Sequence, residues 1–194
     1  MVLTASTMLP LGTPLPLAAV AEQLQQVAGG PLGAAALQAR PVLVLFLCAH
    51  CPFVKHIEPE ITRLADDLGD QLTLLAISSN SSLSHPQDGP EGLKAQAAAN
   101  GWTFPYYFDP QQAAARAFRA ACTPDLFLFD AEQRLAYRGQ LDASRPGNGL
   151  PLDGRDLRAA IAAVLAGAPV AEPQHPSIGC NIKWHPGQEP TWAR

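Results

Sequence analysis

The chain has 194 residues, of which 47% are apolar, so it has enough apolar content for one domain to build a core without disulfides or metals. The formal net charge is −4, and the 13 lysines and arginines are scattered rather than clustered, which argues against a nucleic-acid partner. The longest apolar run, Val42–Ala49, has eight residues, whereas a membrane span needs roughly twenty, so we expect a soluble, cytoplasmic protein with no membrane partner.

The first half of the chain predicts a helix, a strand, a helix and a second strand. Residues 1–21 lack a basic leading region and contain three prolines, so we expect no cleaved signal. Apolar spacing predicts a helix over Leu17–Val27, and the aliphatic run Val42–Leu47 predicts a strand buried on both faces. From Pro52 onward, apolar residues recur every three or four positions, which predicts an amphipathic helix that ends at Gly69. Leu72–Ile77 is predicted to be a second buried strand, parallel to the first.

The second half predicts a longer series of short elements. In chain order they are a polar loop over 78–90, a helix over Glu91–Asn100, a strand over Phe104–Phe108, a helix over Gln111–Ala120, a hairpin of Leu126–Phe129 with Leu135–Tyr137, and a helix over Asp153–Leu165. The order is therefore βαβ, an αβα insertion, and ββα. This order is typical of an α/β protein with a thioredoxin-like fold, in which helices flank a central mixed sheet.

The chain divides into a main domain and a tail. We expect residues 1–167 to form the thioredoxin-like domain, including an N-terminal extension. Residues 168–194 are rich in Pro, His and Trp and show no periodicity, which predicts an irregular C-terminal tail that packs on the domain.

Cys48 and Cys51 form a CxxC motif where the first predicted strand passes into the first long helix. A helix N-terminus presents unpaired N–H groups and partial positive charge, which favour a thiolate, and a nearby second thiol can resolve a mixed disulfide. Four cysteines are too few for a secreted disulfide scaffold, so redox chemistry fits their spacing better. CxxC can also be half of a zinc site, but Cys122, Cys180 and the five histidines supply no second ligand pair. We therefore expect no metal and no bound cofactor.

Four further residues have both a functional and a structural interpretation. His50 either favours the thiolate or is a solvated residue at the start of the helix. Pro124 is either a cis-proline in a functional turn or an ordinary proline at the head of a strand. Cys122 fits a small buried apolar residue, although a redox role is open, whereas Cys180 in the irregular tail is a candidate resolving or regulatory thiol.

Five segments together resemble the peroxiredoxin-like, AhpC/TSA-related branch of the thioredoxin superfamily that carries a CxxC motif. They are LPLGT (9–13), CAHCPFVKH (48–56), CTPDLFLFD (122–130), YRGQLDASRPGNG (137–149) and PSIGCNIKWHPG (176–187). The resemblance implies a thioredoxin fold in which Cys48 attacks, Cys51 resolves and Pro124 is a cis-proline facing the CxxC. It also implies that the backbone of Thr123 binds a substrate chain as an added strand.

The sequence departs from the peroxide-site pattern PxxxTxxC of true peroxiredoxins. If its cysteine is aligned with Cys51, Val44 replaces the proline and Cys48 replaces the threonine. The arginine that completes that site is not assigned by the sequence, which offers four candidates: Arg116, Arg119, Arg138 and Arg145.

Three functions remain open on these grounds. The first is a thiol–disulfide oxidoreductase with a Cys48/Cys51 couple, which acts on a protein or small-molecule disulfide and is restored by a cellular thiol reductant. The second is a peroxidase in which Cys51 or Cys48 forms a sulfenic acid, resolved by its neighbour or by Cys180. The third is a binding module that uses the surface near Pro124, or the tail, without turnover.

Overall fold

A six-stranded mixed sheet forms the centre of the fold. The computed structural model describes residues 3–31, 33 and 40–193. Their strands are β1 (Leu3–Ala5), β2 (Gln25–Ala28), β3 (Val42–Phe46), β4 (Thr73–Ser78), β5 (Tyr106–Phe108), β6 (Cys122–Thr123), β7 (Asp125–Phe129), β8 (Leu135–Gly139) and β9 (Ile178–Asn181). Their α-helices are α1 (Pro52–Leu68), α2 (Pro90–Asn100), α3 (Ala113–Phe118) and α4 (Arg155–Leu165). The large sheet has the order β2-β5-β4-β3-β7-β8.

Strand β3 lies in the middle of this sheet and is buried along its whole length. It pairs in parallel with β4 and antiparallel with β7, and β7 and β8 form an antiparallel hairpin. Side chains alternate between the faces of a strand. Leu43 and Leu45 therefore pack on the face that α1, α2 and α4 cover, whereas Val44 and Phe46 pack on the face that α3 covers. The predicted element order and mixed sheet are confirmed.

Helix α1 has the bounds and the buried face that its apolar periodicity predicts. Its buried face includes Val54, Ile57, Ile61 and Leu64, and the helix ends before Gly69, as predicted. Cys51 is the residue that caps its N-terminus, and the carbonyl of Cys51 accepts a hydrogen bond from the backbone N–H of Lys55 at 2.9 Å. The apolar face thus fixes the helix on the sheet and, with it, the position of Cys51.

The helix predicted over Leu17–Val27 was wrong. This segment forms two short 3₁₀ turns, Pro16–Ala19 and Ala21–Gln23, followed by strand β2, which pairs with β5 at the edge of the sheet. Leu17 and Val20 pack on one face of the sheet, whereas Val27 packs on the other. Because one helix cannot place its apolar residues on both faces of a sheet, the chain crosses the sheet edge as a strand instead.

The C-terminal segment contains a strand that the sequence does not predict. Strand β9 lies between β1 and β6 in a separate antiparallel sheet with the order β1-β9-β6. Beyond it, Ile182 and Trp184 enter the core on the α3 side of the large sheet. This segment therefore joins the site region to the core. In the described part of the chain, no helix combines the length and apolar content that crossing a membrane requires.

Candidate functional site

The CxxC cysteines lie between the end of β3 and the start of α1, and both are fully buried. Both sulfurs contact Thr123 on β6. The Cys48 Sγ lies 3.2 Å from the Thr123 hydroxyl oxygen, and the Cys51 Sγ lies 3.3 Å from the Thr123 carbonyl oxygen. The peptide bond between Thr123 and Pro124 is cis. The structure thus brings the sequence motif and the turn at Thr123 and Pro124 into direct contact.

The two thiols have opposite electrostatic environments. A hydrogen bond from Cys48, helped by Cys180 and by the backbone N–H of Val54, lowers the pKa of Cys51 to about 5 despite its burial. The same bond to Cys51, together with burial and the nearby charge of Asp88, raises the pKa of Cys48 well above its usual value. The pair therefore favours a thiolate on Cys51 and a thiol on Cys48, which reverses the order that the family resemblance implies.

Asp88 is a site residue that sequence analysis missed. Its carboxylate is fully buried and accepts hydrogen bonds from the backbone N–H groups of Ala49 at 2.9 Å and His50 at 3.2 Å. It also accepts one from Asn80 at 2.8 Å. The N–H groups of the CxxC turn are therefore directed at Asp88 rather than at the Cys48 sulfur. Asp88 lies in a polar loop about 40 residues along the chain, and nothing in its local pattern points to the CxxC.

The His50 ring also forms a hydrogen bond with the Asp88 carboxylate. Its Nδ1 lies 2.5 Å from Asp88 Oδ2, and its ring stacks on that of His85 with centroids 4.9 Å apart. Since a carboxylate only accepts, Nδ1 carries the hydrogen of this bond. Among the described residues, the hydrogen-bond partner of the His50 ring is Asp88 and neither sulfur is one. His50 thus holds the turn rather than activating a thiol directly.

Cys48, His50 and Asp88 also bring potential metal ligands within 4.8 Å of one another. However, four N–H groups already point at the two oxygens of Asp88, from Ala49, Asn80 and both nitrogens of His50 named above. A metal would have to displace several of these bonds. The donor set therefore suits a hydrogen-bonded brace better than a coordination site.

Thr123 does not present a free edge to a substrate chain in this structure. Strand β9 pairs with it in antiparallel register, with Cys180 opposite Thr123 and Asn181 opposite Cys122. The expected binding edge is therefore filled by the protein's own C-terminal segment. The Cys180 side chain reaches Cys51, where it contributes to lowering the pKa of that thiol. The structure thus groups Cys48, Cys51 and Cys180 around Thr123.

Cys122 is placed differently. It is fully buried, and its Sγ lies 3.4 Å from the carbonyl oxygen of Pro124. Burial, then the nearby charge of Asp125, raises the pKa of Cys122 well above its usual value. Its environment fits a packed, protonated thiol.

A small pocket lies beside the cis-proline, and it separates the four candidate arginines. Phe53, His56, Pro124, Arg145 and Ile178 are among its lining residues. The other three arginines are not among its lining residues: Arg116 donates to Gln188, Arg119 lies over Trp192 and Arg138 donates to Gln174. The Arg145 guanidinium donates to the carbonyl oxygens of Asp142 and Ser144 and to the Gln140 side chain. Arg145 is the candidate that lies next to the site.

Comparisons with known proteins find a matching family and two solved structures that are similar over nearly the whole chain. The model of the AhpC/TSA family matches residues 16–138. An uncharacterized conserved protein from Geobacillus kaustophilus is 41% identical, with a TM-score of 0.86, over 96% of this chain and 98% of that one. A hypothetical protein from Sinorhizobium meliloti 1021 is 42% identical, with a TM-score of 0.85, over 95% of this chain and 100% of that one. No curated protein matches.

A structure of lower sequence identity gives evidence on the fold alone. A thiol-disulfide isomerase from Corynebacterium glutamicum is 18% identical, with a TM-score of 0.60, over 81% of this chain and 96% of that one. Its likeness to this chain confirms the predicted thioredoxin-like fold, in which a central mixed sheet is flanked by helices.

Proposed function

Because this chain belongs to the AhpC/TSA family of the thioredoxin superfamily, a family of redox proteins, we propose that it is a thiol–disulfide oxidoreductase with a Cys48/Cys51 couple. The observation that carries the proposal is that both sulfurs of the CxxC, at the start of α1, contact Thr123 next to the cis-proline, with a thiolate favoured on Cys51. A thiolate beside a neutral thiol provides both partners that disulfide exchange needs.

The proposed cycle starts at Cys51. Its thiolate attacks one sulfur of a substrate disulfide, forms a mixed disulfide and releases the other substrate sulfur as a thiolate. Cys48 then attacks the Cys51 sulfur of the mixed disulfide, and its proton passes to the departing substrate thiolate. The Cys48–Cys51 disulfide forms and the substrate is fully reduced. A cellular thiol reductant returns two electrons and two protons, and we place this cycle in the reducing cytoplasm.

A second candidate, peroxide reduction, is favoured by the position of Cys51. The pKa of Cys51 is lowered to about 5, and Arg145 lines the same pocket as Pro124. In this reaction the Cys51 thiolate attacks the peroxide oxygen and becomes a sulfenic acid, which Cys48 resolves to a disulfide with loss of water. Val44 and Cys48 still replace two residues of the peroxide motif, so disulfide exchange remains the first proposal.

The test uses a Cys180→Ser background, so that the tail thiol cannot take part. The reduced protein and its Cys48→Ser and Cys51→Ser derivatives are mixed with hydroxyethyl disulfide, quenched with acid, alkylated and mapped by mass spectrometry. We expect a Cys48–Cys51 disulfide in the background protein and a stalled mixed disulfide on Cys51 in the Cys48→Ser derivative. We expect no rapid reaction in the Cys51→Ser derivative, and Cys122→Ser serves as the matched control.

Other outcomes decide between the alternatives. A stalled mixed disulfide on Cys48 in the Cys51→Ser derivative would show that Cys48 is the attacking cysteine. Absence of redox change at Cys48 and Cys51 in every variant would refute the oxidoreductase and favour a binding module. The same proteins treated with hydrogen peroxide and dimedone test the peroxidase: a trapped sulfenic acid on Cys51, with peroxide turnover faster than disulfide exchange, would put peroxide first.

A further inference from the structure

Strand β9 occupies the position in which a substrate chain would pair with the residue before the cis-proline. Its register sets Cys180 opposite Thr123, and its other edge pairs with β1, where Leu3 lies opposite Cys180. Both edges of β9 are therefore hydrogen-bonded. An external polypeptide cannot pair with Thr123 while β9 remains there.

The fit between β9 and Thr123 depends on a glycine. A Cβ atom at Gly179 would lie 2.1 Å from the carbonyl oxygen of Thr123, far inside any permitted contact. The absence of a side chain at this position thus allows the close approach of the two strands. That same Thr123 carbonyl oxygen lies 3.3 Å from the Cys51 sulfur, so the approach also sets the position of Cys180 relative to Cys51.

The segment that follows β9 is fixed to the CxxC turn by side-chain bonds. The backbone N–H of Lys183 donates to the Asn80 side-chain oxygen at 2.8 Å, and Asn80 in turn donates to Asp88. Trp184 packs in the core. Cys180 is only 2% exposed, so its sulfur is directed inward, where it interacts with Cys51.

We propose that β9 is a built-in substrate strand whose Cys180 exchanges disulfides with Cys51, so that the redox centre has three cysteines. This rests on the proposed Cys48/Cys51 couple. The Cys180 thiolate attacks the Cys51 sulfur of the Cys48–Cys51 disulfide, the bond between Cys51 and Cys180 forms, and Cys48 leaves as a thiolate. The proton lost by Cys180 is balanced by the one that Cys48 takes up. The step is an isomerisation that needs no further oxidant.

The electrostatics of Cys180 agree with such a switch. In the dithiol state burial, the hydrogen bond to Cys51 and the charge of Cys51 raise the pKa of Cys180 to about 12, which keeps it protonated. When Cys51 is part of a disulfide it carries no charge, so two of these three causes disappear. Oxidation of the CxxC pair thus makes Cys180 a better nucleophile, and Lys183 favours its thiolate further.

The test maps disulfides in four proteins after one equivalent of diamide, a small oxidant of thiol pairs. They are wild type, Cys48→Ser, Cys180→Ser and Cys122→Ser, each quenched with acid and alkylated before mass spectrometry. We expect both Cys48–Cys51 and Cys51–Cys180 in wild type and in Cys122→Ser. We expect only Cys51–Cys180 in Cys48→Ser and only Cys48–Cys51 in Cys180→Ser. Circular dichroism verifies that each variant is folded.

Two outcomes are kept separate by this design. Absence of Cys51–Cys180 from both wild type and Cys48→Ser would overturn the three-cysteine centre, even if Cys48–Cys51 forms normally. Absence of Cys48–Cys51 from Cys180→Ser would instead count against the proposed function.

A glycine pair gives an independent test that leaves every cysteine in place. Gly179→Ala is expected to move β9 away from Thr123 and to remove the Cys51–Cys180 disulfide while Cys48–Cys51 still forms. Gly30→Ala is the matched control, because a Cβ at Gly30 meets no atom within 4 Å. Equal yields of Cys51–Cys180 in the two alanine variants would contradict the proposed role of the strand.

Discussion

At the scale of single residues, the chemistry depends on how one proton is shared between Cys48 and Cys51. The hydrogen bond from Cys48 is the first cause of the lowered pKa of Cys51, ahead of the contacts with Cys180 and the N–H of Val54. Asp88 acts in the opposite direction on the other sulfur, since its charge raises the pKa of Cys48. The split between the two thiols is therefore set by groups that are all within the turn or in contact with it.

Substitution of Cys48 tests this hydrogen bond. A serine hydroxyl can still donate to the Cys51 thiolate, whereas alanine cannot. A hydrogen bond to a charged group contributes about 1.5–3 kcal/mol, so Cys48→Ala should have a Cys51 pKa about one to two units higher than Cys48→Ser. Thiolate absorbance at 240 nm, followed against pH, measures the difference. Identical midpoints in the two variants would show that the bond from Cys48 does not lower the pKa of Cys51, which would leave Cys180 and the N–H of Val54 as its causes.

Substitution of Asp88 tests the brace on the turn. Asp88→Asn places an amide N–H₂ against donors from His50 and Asn80, which should lower the free energy of unfolding by about 1–3 kcal/mol. It should also lower the pKa of Cys48, because the nearby negative charge is lost. Urea unfolding and thiol titration report the two effects. Asp66→Asn, at an exposed position on α1, is the control and should leave both unchanged.

At the scale of elements, a buried carboxylate joins α1 to α4. Glu60 is 1% exposed and accepts hydrogen bonds at 2.6 Å from Arg63 on its own helix and from Arg158 on α4. Because a buried charge is costly unless it is paired, this small network fixes how α4 lies against the helix that carries Cys51 at its N-terminus.

Two arginines of α4 give a matched comparison. Arg158→Ala leaves Glu60 with one cationic partner, and we expect the free energy of unfolding to fall by about 1–3 kcal/mol. Arg155→Ala removes an exposed ion pair with Asp153 and should leave stability nearly unchanged. Chemical denaturation of both variants measures the contrast. An equal loss in the two would mean that the buried network does not hold the helix.

The elements predicted correctly are those whose apolar sequence pattern alone determines which of their faces is buried. The aliphatic run of β3 and the apolar stripe of α1 each have only one way to be buried, so their bounds followed from the sequence. The failure at Leu17–Val27 has the opposite cause, because its apolar residues serve two different faces of the sheet. Strand β9 is four residues long and contains a glycine, so it carries too little alternation to be recognised.

The candidate site shows the same division. The CxxC and the turn at Thr123 and Pro124 are local motifs and could be found in the sequence. Asp88 could not be predicted, because its role arises from contacts with the backbone of residues distant in sequence. The strand that pairs with Thr123 could not be predicted either, since this pairing depends on the tertiary position of β9.

At the scale of the whole molecule, Asp125 makes stability depend on pH. It is fully buried at the start of β7, and burial raises its pKa to about 7. The folded state therefore binds a proton more tightly than the unfolded chain, whose carboxyl titrates near pH 4. Between about pH 4 and pH 7 the folded state holds more protons, so the contribution of Asp125 to stability falls as pH rises and levels off above 7.

Replacement of this acid by its neutral isostere should remove that dependence. We expect Asp125→Asn to gain stability relative to wild type as pH rises from 4 to 7. By 1.36 kcal/mol per pKa unit, the difference approaches the order of 4 kcal/mol above pH 7. Urea unfolding of both proteins across this range measures it. The difference between the two curves cancels other groups such as Cys51, whose lowered pKa acts in the opposite direction. A difference independent of pH would contradict the assignment.

The contact between Gly179 and Thr123 also offers a way to sort related sequences. A glycine followed by cysteine after the last helix can be read from any genome, without a structure. Chains that carry the CxxC and the Thr-Pro turn together with this dipeptide should keep the Thr123 edge covered by their own C-terminal strand. Chains with a larger residue in place of this glycine should leave the Thr123 edge open to polypeptides, so this position separates redox centres that contain their own substrate strand from those that bind other proteins.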